Sequence, residues 1–267
     1  MDFGSLAALI KVVAAVLVAV PLTAYLMQDK LIFQPRPLAE PERQAIAARH
    51  PAVADIFLQA GDGTRLHAWH VKSTPEAPLV IYFGGNAEEV SWMLDELPRR
   101  EGGASWLLVD YRGYGSSGGT PSEQSLESDA AAWYDRFAPT TPRILAFGRS
   151  LGSGVAVHLA AERKLEGLVL VAPFDSMVQV GKRHYPYLPV DWLLKHRFDS
   201  LSLAPNLTTP LLCIVATHDE VIPAEHAQRL YDAWAGPKKL IALAAGHNSI
   251  DGHPDYWPGI RAFLPAR

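Results

Sequence analysis

Short apolar runs alternate with longer, helix-like stretches along most of the chain. The apolar runs predict eight strands, over Asp55–Leu58, Leu66–Val71, Leu79–Phe83, Trp106–Asp110, Arg143–Phe147, Leu168–Ala172, Leu211–Ala216 and Lys239–Leu243. Five helices are predicted from the third strand onward, over Ala87–Glu101, Pro121–Phe137, Gly152–Arg163, Ala224–Ala235 and Pro254–Phe263. Gly61-Asp62-Gly63 between the first two strands predicts a hairpin turn. Strands that alternate with helices indicate a mostly parallel sheet flanked by helices.

The N-terminal segment differs sharply from the rest. Val12–Met27 carries no charge, and Lys11 alone separates it from the apolar residues Leu6–Ile10. This length is sufficient to cross a bilayer. We interpret residues 1–27 as a retained transmembrane anchor. The alternative is a signal peptide cleaved near Ala24, which is disfavoured because Leu22 is not a small residue. A buried core helix is disfavoured because the segment lacks a polar face. The flanking charges nearly balance, so they give little indication of orientation.

One long connection interrupts the alternation of strands and helices. Residues 173–210 are rich in proline and aromatic residues and lie between two predicted strands. We expect this segment to form a cap over a site at the sheet edge. The alternative is an ordinary connection that contains helices.

Composition excludes several classes of function. The 267 residues are 49% hydrophobic, and the formal net charge of −4 argues against nucleic acid as a main partner. Cys213 is the single cysteine and stands in an apolar run, which predicts a core residue and excludes an intramolecular disulfide. His67 and His70 lie close in sequence, but nearby carboxylates are not spaced to complete a metal site, so we interpret both as surface residues. We expect no metal and no cofactor.

A candidate nucleophile lies between a predicted strand and a predicted helix, in Gly148-Arg149-Ser150-Leu151-Gly152. The strand-turn-helix context holds a serine hydroxyl out at the sheet edge, and glycines on both sides permit the strained turn.

The same five-residue pattern recurs around Ser117, but there it lies in a Gly/Ser-rich loop. That loop leads into a helix for which we expect Thr120 as the N-cap and Glu123 as its capping-box partner. We therefore choose Ser150 as the nucleophile.

A serine nucleophile requires a base and an acid that orients the base. On an open sheet with this type of turn, the expected chain order is serine, acid, histidine. Asp219 and His247 each follow a predicted strand, so both are expected at the same sheet edge as Ser150. Asp175, which follows the preceding strand, is the reserve acid.

Two backbone N–H groups are candidates for binding an oxyanion. One belongs to Leu151, directly after the nucleophile. The other belongs to Asn86, in a Gly-rich loop after the third strand. Asn86 could instead be the N-cap of the following helix, and the two roles are compatible.

Together these segments resemble the membrane-associated serine α/β-hydrolases of the branch that includes mammalian lipid hydrolases and protein depalmitoylases. The resemblance covers about residues 28–264 and is carried by LIFQP, FGGNAEE, DYRGYGSSGGTPSE, GRSLGSGVA, APFDS, HRFDSL, THDEVIP and AGHN. It implies an α/β-hydrolase domain over residues 28–267, a triad of Ser150, Asp219 and His247, and retention of the N-terminal helix. One departure is Gly84, where relatives often carry histidine; we expect the backbone donor at Asn86 to be kept without the side-chain support of that histidine.

We therefore expect a membrane-anchored serine hydrolase that cleaves carboxylic esters or thioesters, with an acyl-chain or lipid-like substrate. The first alternative is a peptidase or amidase that uses the same triad. The second is a non-catalytic, membrane-tethered scaffold on the same fold, since a fold does not fix a function. Acyl transfer differs from hydrolysis only in the second acceptor and also stays open.

Overall fold

The computed structural model describes residues 3–100 and 103–264 and contains one eight-stranded sheet in this part of the chain. Its strands are β1 Val53–Gln59, β2 Arg65–Val71, β3 Leu79–Phe83, β4 Ser105–Asp110, β5 Ile144–Arg149, β6 Gly167–Val171, β7 Leu211–Ala216 and β8 Lys238–Leu243. Each lies where an apolar run predicted it, and the sheet confirms the predicted fold class.

The strand order is β1-β2-β4-β3-β5-β6-β7-β8. β1 and β2 form the expected antiparallel hairpin, and β2 is antiparallel to β4. All other neighbours run parallel, from β4 through β8. The carboxyl ends of β3, β5, β7 and β8 therefore meet at one sheet edge, where ligands bind in open α/β sheets.

The helices are α1 Phe3–Ile32, α2 Glu40–Arg49, α3 Met93–Arg100, α4 Glu123–Phe137, α5 Leu151–Glu162, α6 Met177–His184, α7 Val190–Leu193, α8 Ser200–Leu203, α9 Ala224–Ala233 and α10 Tyr256–Phe263. Short 3-10 turns cover Val90–Trp92, Ala204–Asn206 and Ile250–Gly252. Helix α2 was not predicted from the sequence, and the predicted start of α3 at Ala87 lies too early in the chain. The predicted end of α3 at Glu101 lies outside the described residues.

The start of α4 corrects the expected cap. Ser122, not Thr120, is the N-cap, and its hydroxyl accepts a hydrogen bond from the Ser125 N–H at 3.1 Å. The Glu123 carboxylate instead accepts hydrogen bonds from the N–H groups of Arg197 and Phe198. This carboxylate ties α4 to the segment 173–210, and the capping box is closed by Ser125, the third residue after the N-cap.

Apolar side chains pack on both faces of the sheet, with Trp133 and Leu230 on one face and Leu94 and Ile260 on the other. Cys213 is fully buried in this core, as predicted. His67 is also fully buried, so its interpretation as a surface residue was wrong.

Two carboxylates make the burial of His67 possible. Its ring nitrogens lie 2.6 Å from Asp110 and 3.0 Å from Asp55, which supply the polar partners that a buried imidazole requires.

Helix α1 leaves most of its apolar side chains exposed. Its stretch Ile10–Ile32 is long and apolar enough to cross a membrane, and no residue of its most apolar part is buried. The alternative of a buried core helix was therefore wrong. Helices of this length and composition occur both as anchors and as signal sequences. Near its C-terminal end the helix contacts the body of the protein, where Gln28 is only 5% exposed.

Candidate active site

Ser150 lies at the sharp turn between β5 and α5. Its backbone has φ 50° and ψ −117°, a combination that non-glycine residues rarely adopt and that is costly to maintain. A Cβ atom on Gly148 would lie 2.4 Å from the Gly152 carbonyl oxygen, and one on Gly152 would lie 2.1 Å from the Phe83 carbonyl oxygen. Both glycines are therefore required by the close approach of α5 to its neighbouring strands.

The imidazole of His247 connects the serine to a carboxylate. Its Nε2 lies 3.0 Å from the Ser150 Oγ, and its Nδ1 lies 2.7 Å from the Asp219 Oδ2. The Asp219 Oδ1 accepts hydrogen bonds from the N–H groups of Val221 and Ile222 at 2.9 and 2.7 Å. These bonds fix the carboxylate, which leaves its second oxygen directed at the imidazole. The three residues that the sequence singled out thus form one hydrogen-bonded chain.

Asp175, the reserve acid, belongs to a different cluster. Its carboxylate lies 2.7 Å from the His226 Nδ1 and 2.7 Å from the Arg229 Nε, and it also accepts the Ser176 N–H. Burial acts to raise the pKa of Asp175, but the hydrogen bonds from His226 and Arg229 hold the pKa below its ordinary value. Asp175 therefore anchors α9 to the loop after β6.

Ser117, the alternative serine, is buried in a turn. Its Oγ donates to the Asp110 carbonyl oxygen and accepts the His67 N–H, both at 2.8 Å. Neither of these partners is a base that could take its proton, so Ser117 has a structural position.

The residues of both candidate oxyanion donors, Leu151 and Asn86, line the same cavity as Ser150. Leu151 is the first residue of α5, where N–H groups have no intrahelical acceptor. The Asn86 side chain does not cap a helix, because its Oδ1 accepts hydrogen bonds from Gln34 N–H, Tyr114 hydroxyl and Ala87 N–H at 2.8–3.0 Å. The Asn86 carboxamide thus ties its loop to the chain that leaves α1.

A buried carboxylate that sequence reasoning missed supports this loop. The oxygens of Glu88 accept hydrogen bonds from Tyr82 hydroxyl and Gly85 N–H at 2.6 Å, and from Trp92 Nε1 and Arg149 Nη1 at 3.0 Å. Burial would lower the pKa of the Arg149 guanidinium, but the carboxylate of Glu88 holds it above its ordinary value. The sequence did contain a signal for this carboxylate. Arg149 stands beside the candidate nucleophile at the end of a buried strand, where its charge requires an acidic partner.

A cavity of about 290 Å³ opens beside Ser150. Most of its lining is apolar and comes from residues 173–210, including Met177, Val180, Leu188 and Leu193. A second part of the wall, Ala24, Gln28, Leu31 and Ile32, comes from the C-terminal end of α1. The sequence reading did not anticipate that the N-terminal helix reaches the candidate site. Within the described ranges, no cluster of three or more His, Cys, Asp or Glu residues could hold a metal ion.

Comparison with known proteins shows the family of the chain. The family described as serine hydrolase matches residues 122–266 of the chain. An uncharacterized protein of Mycobacterium tuberculosis is 36% identical over 266 residues, which cover 96% of this chain and 93% of that protein. The chain is a member of the serine hydrolase family. An uncharacterized membrane protein of Saccharomyces cerevisiae shares 28% identity over 78% of each chain.

Solved structures support the fold of this serine hydrolase. An esterase from Pyrococcus furiosus superposes with a TM-score of 0.63 at 20% identity, covering 86% of this chain and 94% of the esterase. A hydrolase from Pseudomonas aeruginosa gives a TM-score of 0.64 at 21% identity, covering 79% and 98% respectively. The serine hydrolase therefore has the α/β-hydrolase fold.

Proposed function

We propose that this serine hydrolase cleaves carboxylic ester or thioester bonds of acyl-chain substrates through an acyl-enzyme on Ser150. The observation that carries the proposal is the hydrogen-bonded chain from Ser150 through His247 to Asp219, with Ser150 in the lining of an apolar cavity. A hydroxyl 3.0 Å from an oriented imidazole can be deprotonated as it attacks a carbonyl carbon.

In the proposed mechanism, the Ser150 Oγ attacks the substrate carbonyl and His247 Nε2 takes the hydroxyl proton. Asp219 holds the imidazole in the tautomer that has Nε2 free to accept, and it stabilises the imidazolium that forms. The N–H groups of Leu151 and Asn86 bind the developing oxyanion. His247 then donates the proton to the leaving alcohol or thiol. Water, activated by the same imidazole, attacks the acyl-enzyme and releases the carboxylic acid.

The cavity lining supports an acyl chain as the group that is bound. Its walls are mainly Leu, Ile, Val, Met and Phe side chains, and the ionisable lining residues besides the candidate nucleophile are His184 and Tyr185. A peptidase that holds a charged substrate terminus would require a carboxylate or a cation in this wall. Apolar walls instead favour binding of an alkyl chain by the hydrophobic effect.

We further propose that residues 1–27 are retained as a membrane anchor, that residues 28–267 form the catalytic domain, and that residues 173–210 are its cap. Helix α1 runs without a break through the candidate cleavage position near Ala24. Its Gln28 side chain is bonded to the cap at Leu193 and Lys195. The name of the yeast relative as a membrane protein is consistent with an anchor.

The test is labelling of the membrane fraction with a fluorophosphonate probe, which reacts with activated serines. We expect the wild type and Ser117→Ala to be labelled, and Ser150→Ala to lose the label. Ser117→Ala is the matched control, because it removes a hydroxyl from the second copy of the same motif. Labelling that persists in Ser150→Ala would refute the assignment of the nucleophile. An unlabelled but folded wild type would favour the scaffold alternative.

A further inference from the structure

The large hydrophobic side chains that are strongly exposed fall in a few segments of the described chain. Among the described residues, each large hydrophobic side chain that is strongly exposed belongs to α1, to the cap, or to the cavity rim at Val221: Ile10, Val12, Val13, Val16, Leu17, Val18, Val20, Leu22, Tyr25, Leu26, Met27, Leu31, Tyr185, Tyr187, Trp192 and Val221. Exposed apolar side chains that are concentrated in this way mark an interaction site.

The cap and the end of α1 are held together by polar contacts. Gln28 donates to the Leu193 carbonyl oxygen at 3.0 Å and accepts the Lys195 N–H at 2.7 Å. One helical position later, Asp29 lies 3.0 Å from the His196 ring nitrogen. The Lys195 ammonium lies 4.5 Å from the centre of the Tyr25 ring. These contacts fix the cap at a defined height along the helix.

The part of α1 that contacts the cap lies at the C-terminal end of the uncharged stretch of the helix. Lys11 and Asp29 bound the stretch Val12–Gln28, which at about 1.5 Å per residue is about 26 Å long. The hydrocarbon core of a bilayer is about 30 Å thick. When this stretch crosses a bilayer, Ala24 and Gln28 lie at the boundary between acyl chains and headgroups. Both residues line the cavity.

The cap carries the residue types that favour this boundary. Tyr187 is 96% exposed and Trp192 is 89% exposed. Tyrosine and tryptophan are enriched at the level of the headgroups, where an aromatic body meets a polar tip. The segment Met177–Arg197 also has four Lys or Arg residues and one Asp, a balance that suits anionic headgroups.

We propose that the cap surface formed by Tyr185, Tyr187 and Trp192 lies in the headgroup layer of the membrane that α1 spans. The cavity then takes its acyl chain directly from that leaflet, through a port between α1 and α6–α7. The substrate class is an acyl ester or thioester whose acyl tail resides in the membrane. The chemistry of this inference rests on the proposed function, whereas the contact with lipid does not.

Contact with lipid is measured by tryptophan quenching in vesicles of the full chain. Trp192 is strongly exposed, and the other six tryptophans are buried or half-buried. The emission of Trp192 is the difference between the emission of the wild type and that of Trp192→Phe. We expect phosphatidylcholine that is brominated near the headgroup end of its chains to quench this difference. Adding anionic lipid is expected to increase this quenching. An emission difference between wild type and Trp192→Phe that is equal in brominated and plain vesicles would overturn the proposal.

Substrate entry is measured as a ratio of two rates, on a long-chain ester in the bilayer and on a short-chain ester in solution. Trp192→Glu is expected to lower this ratio about tenfold, because it removes an interfacial anchor and repels anionic lipid. The control is Gln59→Glu, which adds the same charge at the exposed last residue of the edge strand β1 and is expected to leave the ratio unchanged. An equal ratio in the two variants would refute entry from the membrane. Hydrolysis of neither ester by wild type would instead refute the proposed function, while the quenching result would stand.

Discussion

Replacing Glu88 by glutamine tests whether a buried carboxylate holds the candidate oxyanion loop. The side chains of Glu88 and Arg149 are 7% and 15% exposed and are joined at 3.0 Å. Each oxygen of Glu88 accepts two hydrogen bonds. Oε1 accepts from the Tyr82 hydroxyl and Trp92 Nε1, and Oε2 accepts from the Gly85 N–H and Arg149 Nη1. A glutamine must turn its NH₂ group toward one of these pairs. Since the donors of Trp92, Gly85 and Arg149 cannot become acceptors, at least one buried donor loses its partner.

The magnitude follows from the loss of charge and of hydrogen bonds together. Breaking a buried ion pair by removing one charge costs about 3–5 kcal/mol. For a domain of this size that corresponds to a fall in Tm of roughly 10 °C. We expect Glu88→Gln to show this fall by circular dichroism of the full chain in detergent. The exposed Glu76→Gln is the matched control and should unfold with the wild type.

Function should change for a separate reason. Gly85 immediately precedes Asn86, so loss of its hydrogen bond to Glu88 shifts the proposed oxyanion donor. Well below the unfolding temperature of the variant, the rate of fluorophosphonate labelling should fall about tenfold to a hundredfold. A wild-type Tm would refute the stability argument. A lowered Tm with a wild-type labelling rate would show that Glu88 supports the fold but does not position the loop.

Three further predictions concern the carboxylates of Asp219 and Asp175 and the sharp turn at Ser150. Asp219→Asn should lower kcat/KM for a soluble ester about 10³- to 10⁴-fold by favouring the wrong imidazole tautomer of His247, and a loss below tenfold would contradict the proposed role. Ser150→Gly should be about 1–2 kcal/mol more stable to denaturant than Ser150→Ala, because glycine relieves the strain at φ 50°, and equal stabilities would contradict that strain. Asp175→Asn should stay reactive to the probe but be destabilised at pH 7. Because the folded pKa of Asp175 is lowered, its contribution is present above about pH 4 and is lost as the pH falls further. The denaturation midpoints of wild type and Asp175→Asn should therefore converge in acid, and a constant difference would contradict the argument.

Local pattern predicted most of the architecture. Buried parallel strands require continuous apolar runs, so β3 through β8 could be located within a few residues from sequence alone. The positions of Ser150, Asp219 and His247 after three of those strands predicted that their side chains would meet, because parallel strands end at one edge. Helix starts were harder to predict. At the start of α4, both Thr120 and Ser122 are residue types that cap helices, and the structure has Ser122 as the cap.

Long-range electrostatic pairing could not be read from the sequence. His67 looked like a surface residue, and only the approach of Asp55 and Asp110 in the folded sheet satisfies it in the interior. Asp175 and Asp219 follow adjacent strands and were both candidate acids. The fold separates them, because Asp175 is engaged by His226 and Arg229 from α9.

By itself, the sequence determined the sheet, the strained turn at Ser150, the residues that meet at the edge of the sheet and the apolar N-terminal stretch. These depend on periodicity, glycine spacing and chain order, which are local properties. Tertiary structure alone decided that the end of α1 forms a wall of the cavity and that Gln28 joins it to the segment 173–210. An apolar helix has no sequence signature for the surface it will contact. Its partner is fixed only when distant segments pack and their buried polar groups find one another.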